Sequence, residues 1–218
     1  MTNEYILHFI EYELQAIALM WMAVLYTIKI VQLSRLPISW ERGEKKGNPT
    51  RGVLRSYGTI FMPWSMESSK THLWRWAEFG LYHIGALVAI FNTFTFPFAP
   101  AMMTPFVRVL FAVLIAPAFV VGILKLIRRI GKQELRIIST PDDYFSLVSL
   151  QFFFFFGIMA LLVGTPSWRM AYFLITAGFL FYVPFSKISH YIYFFFSRYL
   201  TGKRYGWRGV IPRLESKS

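Results

Sequence analysis

The sequence predicts an all-α integral membrane protein, a bundle of five transmembrane helices. Three observations predict it. The 218 residues are 56% apolar and 19% aromatic against 16% charged, with mean hydropathy +0.46, more apolar than a soluble domain needs to be. Five stretches, 14–34, 76–97, 105–127, 145–163 and 170–197, approach or reach the ~20 helical residues that cross a hydrocarbon core of ~30 Å, and no other segment does. Lys and Arg gather in the connections that fall on one side of such a bundle.

The first stretch, 14–34, is preceded by Glu4, Glu11 and Glu13 rather than by basic residues and has no small-residue cleavage site. It is therefore expected to remain as a span and not to be removed as a signal peptide. The connection 35–75 is the one long polar segment, with Gly43, Gly47, Asn48 and Pro49 marking irregular backbone. Its second half mixes Leu54, Phe61, Met62 and Trp64 with basic side chains, as a segment lying at a membrane surface does. The second and third stretches are joined by 98–104, which has no Lys or Arg. Before the fourth, Ser139, Thr140, Pro141, Asp142 and Asp143 read as a helix N-terminal cap; a proton-delivery or docking role is the alternative for the two carboxylates. The run Phe152–Phe156 puts rings on every side of that helix. The fifth stretch leads into a basic tail, 198–218.

The first 13 residues have no Lys or Arg, whereas 35–70 carries Arg35, Arg42, Lys45, Lys46, Arg51, Arg55 and Lys70, and 128–144 adds Arg128, Arg129, Lys132 and Arg136. The positive-inside rule then puts the N-terminus outside and the C-terminus in the cytoplasm, with 1–218 forming a single membrane domain. A net charge of +12 could speak for nucleic acid, but these residues lie between long apolar runs, where the membrane surface explains them better. The absence of cysteine excludes disulfides, thiolate metal sites, protein-ligated iron–sulfur clusters and covalently attached haem within this chain. A redox centre here has to use histidine or methionine.

Ionisable groups at membrane depth are costly and usually functional. His83, in Glu78-Phe-Gly-Leu-Tyr-His83-Ile-Gly, is expected about two turns into the second helix, and His190 two to three turns before the fifth helix leaves on the same side. At 1.5 Å rise per residue both imidazoles would lie ~10–15 Å below the surface. Two neutral imidazoles at one depth on antiparallel helices can ligate a haem iron from opposite faces, with Gly80 and Gly85 leaving room for the flat ring. The simpler reading is that each histidine hydrogen-bonds a neighbouring helix. His72, in Ser69-Lys-Thr-His72-Leu-Trp, reads as interfacial, with a redox or proton role as the alternative, and His8 as solvated. Haem propionates would be paired by Lys187, Arg198, Arg75 or Arg55; snorkelling to the interface is the competing role for Arg75 and Arg198 and the expected one for Arg108 and Lys125.

Tyr-His83-Ile-Gly, together with Val-Pro184-Phe-Ser-Lys-Ile-Ser-His190 and the following Arg198-Tyr-Leu-Thr-Gly-Lys-Arg, resembles the cytochrome b (gamma) subunit of respiratory nitrate reductase. Ser139-Thr-Pro-Asp-Asp-Tyr-Phe-Ser is more similar to membrane cytochromes b of heterodisulfide-reductase and sulfite-reductase-associated complexes. The resemblance implies a prokaryotic cytoplasmic-membrane subunit that binds haem b and exchanges electrons with quinone or menaquinone and with a cytoplasmic iron–sulfur partner. It does not imply a stand-alone enzyme. The nitrate reductase subunit holds a second, outer haem; the positions equivalent to its ligands are Thr93 and Tyr172 here, so one haem, on His83 and His190, is expected. The runner-up reading is a haem-free quinone-binding anchor. The basic surfaces 35–70, 128–138 and 198–213 are the expected docking face, with membrane phospholipid as the other claimant on that charge.

Overall fold

The computed structural model describes residues 3–37, 43–65 and 70–210. Expectations that rest on Arg42 or on the tail after Val210, Arg213 included, lie outside the described residues. Every regular element among the described residues is helical: α1 Asn3–Glu11, α2 Glu13–Arg35, α3 Pro49–Gly58, α4 Leu73–Phe98, α5 Pro105–Gly131, α6 Gln133–Ile137, α7 Pro141–Leu162, α8 Pro166–Tyr182 and α9 His190–Arg208. Five segments among them are long and apolar enough to cross a membrane: Glu4–Arg35, Leu73–Phe98, Pro105–Gly131, Pro141–Leu162 and Pro166–Phe185.

Caps placed by local chemistry start several of these helices. The side chain of Asn48 accepts from the Arg51 N–H ahead of Pro49, and that of Thr104 accepts from the Val107 N–H ahead of Pro105. Proline suits the first helical position because the N–H it lacks would have no helical partner there. At α7 the expected cap is present as a capping box: the Asp143 carboxylate accepts from both the backbone N–H and the hydroxyl of Thr140, each at 2.8 Å.

The fifth expected helix, 170–197, is not continuous. α8 ends at Tyr182, two 3₁₀ turns cover Val183–Phe185 and Lys187–Ser189, and α9 starts at His190. Pro184 has no N–H for the ladder and its ring collides with the preceding turn. The Ser186 hydroxyl stabilises the break, donating to the Val183 carbonyl at 3.0 Å and accepting from the Ile188 N–H at 3.1 Å. His190 therefore heads a new helix beyond the fifth span instead of lying two to three turns inside it.

The chain divides into two units, Met1–Thr27 with Ala77–Ile188, and Ile28–Trp76 with Ser189–Ser218. In the first, Ala89, Ile115, Ala118, Phe154, Tyr172 and Phe173 are fully buried. Gly85 lies against Ala118 and the Leu114 carbonyl, and Gly122 against the Gln151 amide. Small residues at such contacts let helices approach closely, which matters in lipid because tails are as apolar as the side chains and no hydrophobic force drives the helices together. Outward faces are apolar, as with Leu87 and Ile90 on α4 and Val109 and Val113 on α5. The run on α7 divides as a membrane helix requires: Phe153 and Phe154 are buried, Phe152 and Phe155 exposed.

At one end of this unit Arg169 grips Glu11 with two parallel hydrogen bonds, 2.8 and 2.7 Å. The Glu11 side chain is 5% exposed. The guanidinium also lies over the Phe96 ring, 5.3 Å from its centre, and Arg108 covers the same ring at 5.5 Å. Arg108 thus turns toward the protein and does not snorkel outward.

In the second unit α3 lies against α9 through glycine. A Cβ on Gly206 would stand 2.6 Å from the Asn48 carbonyl oxygen, and one on Gly202 2.6 Å from the Gly52 carbonyl oxygen. Gly202 and Gly206 form a G-x-x-x-G pair whose bare face admits another backbone. α9 ends at Gly209, whose φ of 69° is the left-handed conformation glycine adopts without strain.

Two outcomes follow. Gly206→Ala will destabilise the α3–α9 pair by about 1–3 kcal/mol, the cost of overpacking, while Gly131→Ala, with nothing within 4 Å of the added carbon, will be neutral or stabilising; protease protection of the 49–58 segment compares them. Arg169→Met, which leaves a buried carboxylate alone, will cost about 3–5 kcal/mol, and the double variant Glu11→Gln/Arg169→Met will be more stable than that single variant in thermal unfolding.

Candidate functional site

His83 sits on the exposed side of α4, inside the second span. Its Nδ1 is 2.8 Å from the Phe79 carbonyl oxygen, and a carbonyl can only accept, so Nδ1 carries the hydrogen. In the neutral imidazole that leaves the lone pair on Nε2, the arrangement a metal-ligating histidine normally has. The ring packs on Phe79, 4.0 Å between centres, and meets Tyr82 edge-on at 6.3 Å. The donor chemistry fits haem ligation.

The inward face of α4 next to His83 is polar. Glu78 is buried and bonded to Arg128 of α5 at 2.5 Å. Lys125, one turn earlier on α5, holds its ammonium 4.0 Å from the centre of the Tyr82 ring, so it also turns inward and does not snorkel. The Tyr82 hydroxyl and the Gln151 amide oxygen are both buried, with no hydrogen-bond partner for either among the described residues. Further along the same face, Tyr172 donates to the Ala89 carbonyl at 2.8 Å and accepts from Asn92 at 3.2 Å, fully enclosed against Phe153 and Phe173.

The other expected site residues are distributed as follows. His190 is the first residue of α9, exposed, in the second unit, while His83 belongs to the first. Because the helix breaks at Pro184, the argument that both imidazoles share one depth loses its support. Lys187, expected near a haem propionate, donates through its ammonium to Asp143 at 2.6 Å and through its backbone N–H to Asp142 at 3.0 Å. Asp142 also accepts from the Tyr182 hydroxyl, so both carboxylates tie the 183–189 break to the start of α7. Gly80 has open space around it, but the face of Gly85 is filled by Ala118, and at 100° per residue that face lies about 200° around the helix from His83. Gly85 is a helix-packing residue and leaves no room for a ring.

Arg55, on α3, is half-buried, Arg198 lies 5.5 Å from the Phe194 ring centre, and Arg75 is exposed in the first turn of α4. His72 is exposed just ahead of α4, with Nδ1 2.8 Å from the Thr71 hydroxyl, and its carbonyl accepts the Arg75 N–H at 3.0 Å. It helps to start α4. His8 is exposed, 3.3 Å from Glu13 and stacked on Tyr12. Among the described residues, no three or more His, Asp or Glu side chains gather as a metal site.

Sequence reasoning missed Glu78, Tyr82 and Gln151 as interior groups. The signal was present in α4: Glu78, Tyr82, Gly85, Ala89 and Asn92 recur at intervals of three and four, one helical face made of polar and small residues. The partners on α5 and α7 follow no such local rule.

A protein of Nitratidesulfovibrio vulgaris (strain Hildenborough) is 29% identical to the chain over 170 residues, covering 71% of this chain and 72% of that one. Its description, "Protein", assigns it no activity. No protein-family model matches the chain, and no solved structure matches it significantly.

Proposed function

We propose that this chain is the membrane cytochrome b subunit of a respiratory redox complex, passing electrons between quinone or menaquinone and a cytoplasmic iron–sulfur partner through one haem b on His83 and His190. The observation that carries the reading is His83: an imidazole within a membrane-spanning helix, its Nδ1–H committed to the Phe79 carbonyl, which fixes the tautomer in which Nε2 carries the lone pair, as in a metal-ligating histidine. Bound haem supplies reversible one-electron exchange. The protein's part is to hold the His83 tautomer and to keep an apolar wall around it, Phe79 on one side and Tyr82 at the edge. The charge pattern supports an outside N-terminus and a cytoplasmic C-terminus in a prokaryotic cytoplasmic membrane, with the basic segments 35–70, 128–138 and 198–213 as the docking face.

One observation favours the second reading, a haem-free quinone-binding anchor. His190 heads α9 beyond the Pro184 break, so it does not share the fifth span with Tyr172.

Haem content per chain, by pyridine haemochrome against quantitative protein determination, separates the two. The cytochrome reading expects one haem b, lost in His83→Ala and in His190→Ala while helical content is kept. No haem in protein that still binds quinone would establish the anchor; two haems would mean another ligand, His72 foremost. With Tyr172 buried in the bundle interior where a second haem ligand would stand in the resembling subunit, quinone turnover in proteoliposomes is expected to generate no membrane potential. A potential that grows with turnover would show that electrons cross the bilayer and would refute the single-haem scheme.

A further inference from the structure

Arg108 and Arg169 stand in the first turns of α5 and α8, at the end of the first unit where 98–104 and 164–165 connect its helices. Both guanidinium groups lie on the Phe96 ring, but only one is matched. Arg169 holds Glu11 with two hydrogen bonds. Arg108 has no ion pair among the described residues, and none of its side-chain N–H groups finds an acceptor there; its Nε is fully buried. An arginine keeps its charge in any surroundings, so an unmatched one in a membrane-spanning helix is costly unless something outside the chain bonds it.

The guanidinium is held in place without being bonded. The Phe96 ring centre is 5.5 Å from its central carbon. Gly164, with φ 68°, makes room for it: a Cβ there would stand 3.3 Å from Nη1. Depth identifies what else it meets. α5 has 27 residues, ~40 Å at 1.5 Å per residue, which is about the thickness of a bilayer including its headgroups. A residue in its first turn therefore lies at headgroup level. Beside Arg108 on the same helix, Phe106, Val109 and Leu110 are exposed, and Val113 continues the exposed face one turn deeper. The half-buried Arg108 thus stands where the protein meets lipid.

We infer that Arg108 binds the phosphate of a phospholipid, whose acyl chain runs along Val109 and Val113. A guanidinium fork takes two phosphate oxygens in parallel hydrogen bonds, which supplies both the countercharge and the acceptors that the chain does not. Water at headgroup level would bond the N–H groups and leave the charge unmatched. A free phosphate ion would match the charge and leave the apolar strip below it bare. The inference is independent of the haem reading.

The test is site-resolved modification of the full chain in detergent by phenylglyoxal, which attacks accessible guanidinium groups, with the rate at Arg108 read by peptide mass spectrometry. The reaction is run without lipid, with dioleoylphosphatidylglycerol, with dioleoylglycerol, which has the same tails and no phosphate, and with millimolar inorganic phosphate. The expected result is that phosphatidylglycerol slows modification of Arg108 at least about fivefold, the factor that one cation contributes at an anionic membrane surface. Dioleoylglycerol and inorganic phosphate should leave the rate unchanged. An Arg108 inert to the reagent without lipid, no protection by phosphatidylglycerol, equal protection by dioleoylglycerol, or protection by inorganic phosphate would each overturn the inference. Every arm uses the unaltered protein, so no outcome depends on a variant that fails to fold.

Discussion

Lipid offers a polar group nothing to bond to, and each such group left unsatisfied costs several kcal/mol. That constraint explains most of what the first unit does with its side chains. Glu11 is buried only because Arg169 reaches it with two hydrogen bonds, and Glu78 only because Arg128 does the same work at the opposite ends of the helices. Tyr172 and Asn92 share one hydrogen bond and Tyr172 a second with a helix carbonyl. The hydroxyls of Thr27, Thr93 and Thr176 fold back onto carbonyls three or four residues earlier, which satisfies them within one helix.

Where the constraint is not met among the described residues of this unit, the exceptions are spread along it: the Tyr82 hydroxyl, the Asn92 and Gln151 amide oxygens and the Arg108 Nε. The Tyr82 ring lies under the Lys125 ammonium, one residue from His83. A buried polar atom left without a partner costs about 1–3 kcal/mol, which the packing around each has to offset.

The second unit answers a different constraint. α3 is ten residues long, too short to be stable by itself in water, and it is held by backbone-close contact with α9 at Gly47, Gly52, Gly202 and Gly206. Tyr57 adds a hydrogen bond to the Phe195 carbonyl at 2.7 Å and Trp207 one to the Gly43 carbonyl at 3.0 Å. This pairing commits one face of α9 to α3.

The spans were legible in the sequence because hydrophobic length is a local property: ~20 apolar residues in a row cross a membrane whatever surrounds them. The capping box at Thr140 and Asp143 was legible for the same reason. The break at Pro184 was half legible, since proline forbids the ladder locally, but membrane helices also run through proline, as α5 does at Pro117. Only the tertiary structure decided that here the chain ends one helix and starts another at His190. Likewise, Gly85 was expected to make room for a flat ring, Arg108 and Lys125 to snorkel and Lys187 to pair a propionate, because their partners were unknown. Ala118, Phe96, Tyr82 and Asp143 are the contacts found instead, each on a different element from the residue it meets. Side-chain pairing in a bundle depends on rotation and register between helices, to which every residue contributes slightly and no short motif speaks, whereas crossing a bilayer depends on length and composition alone.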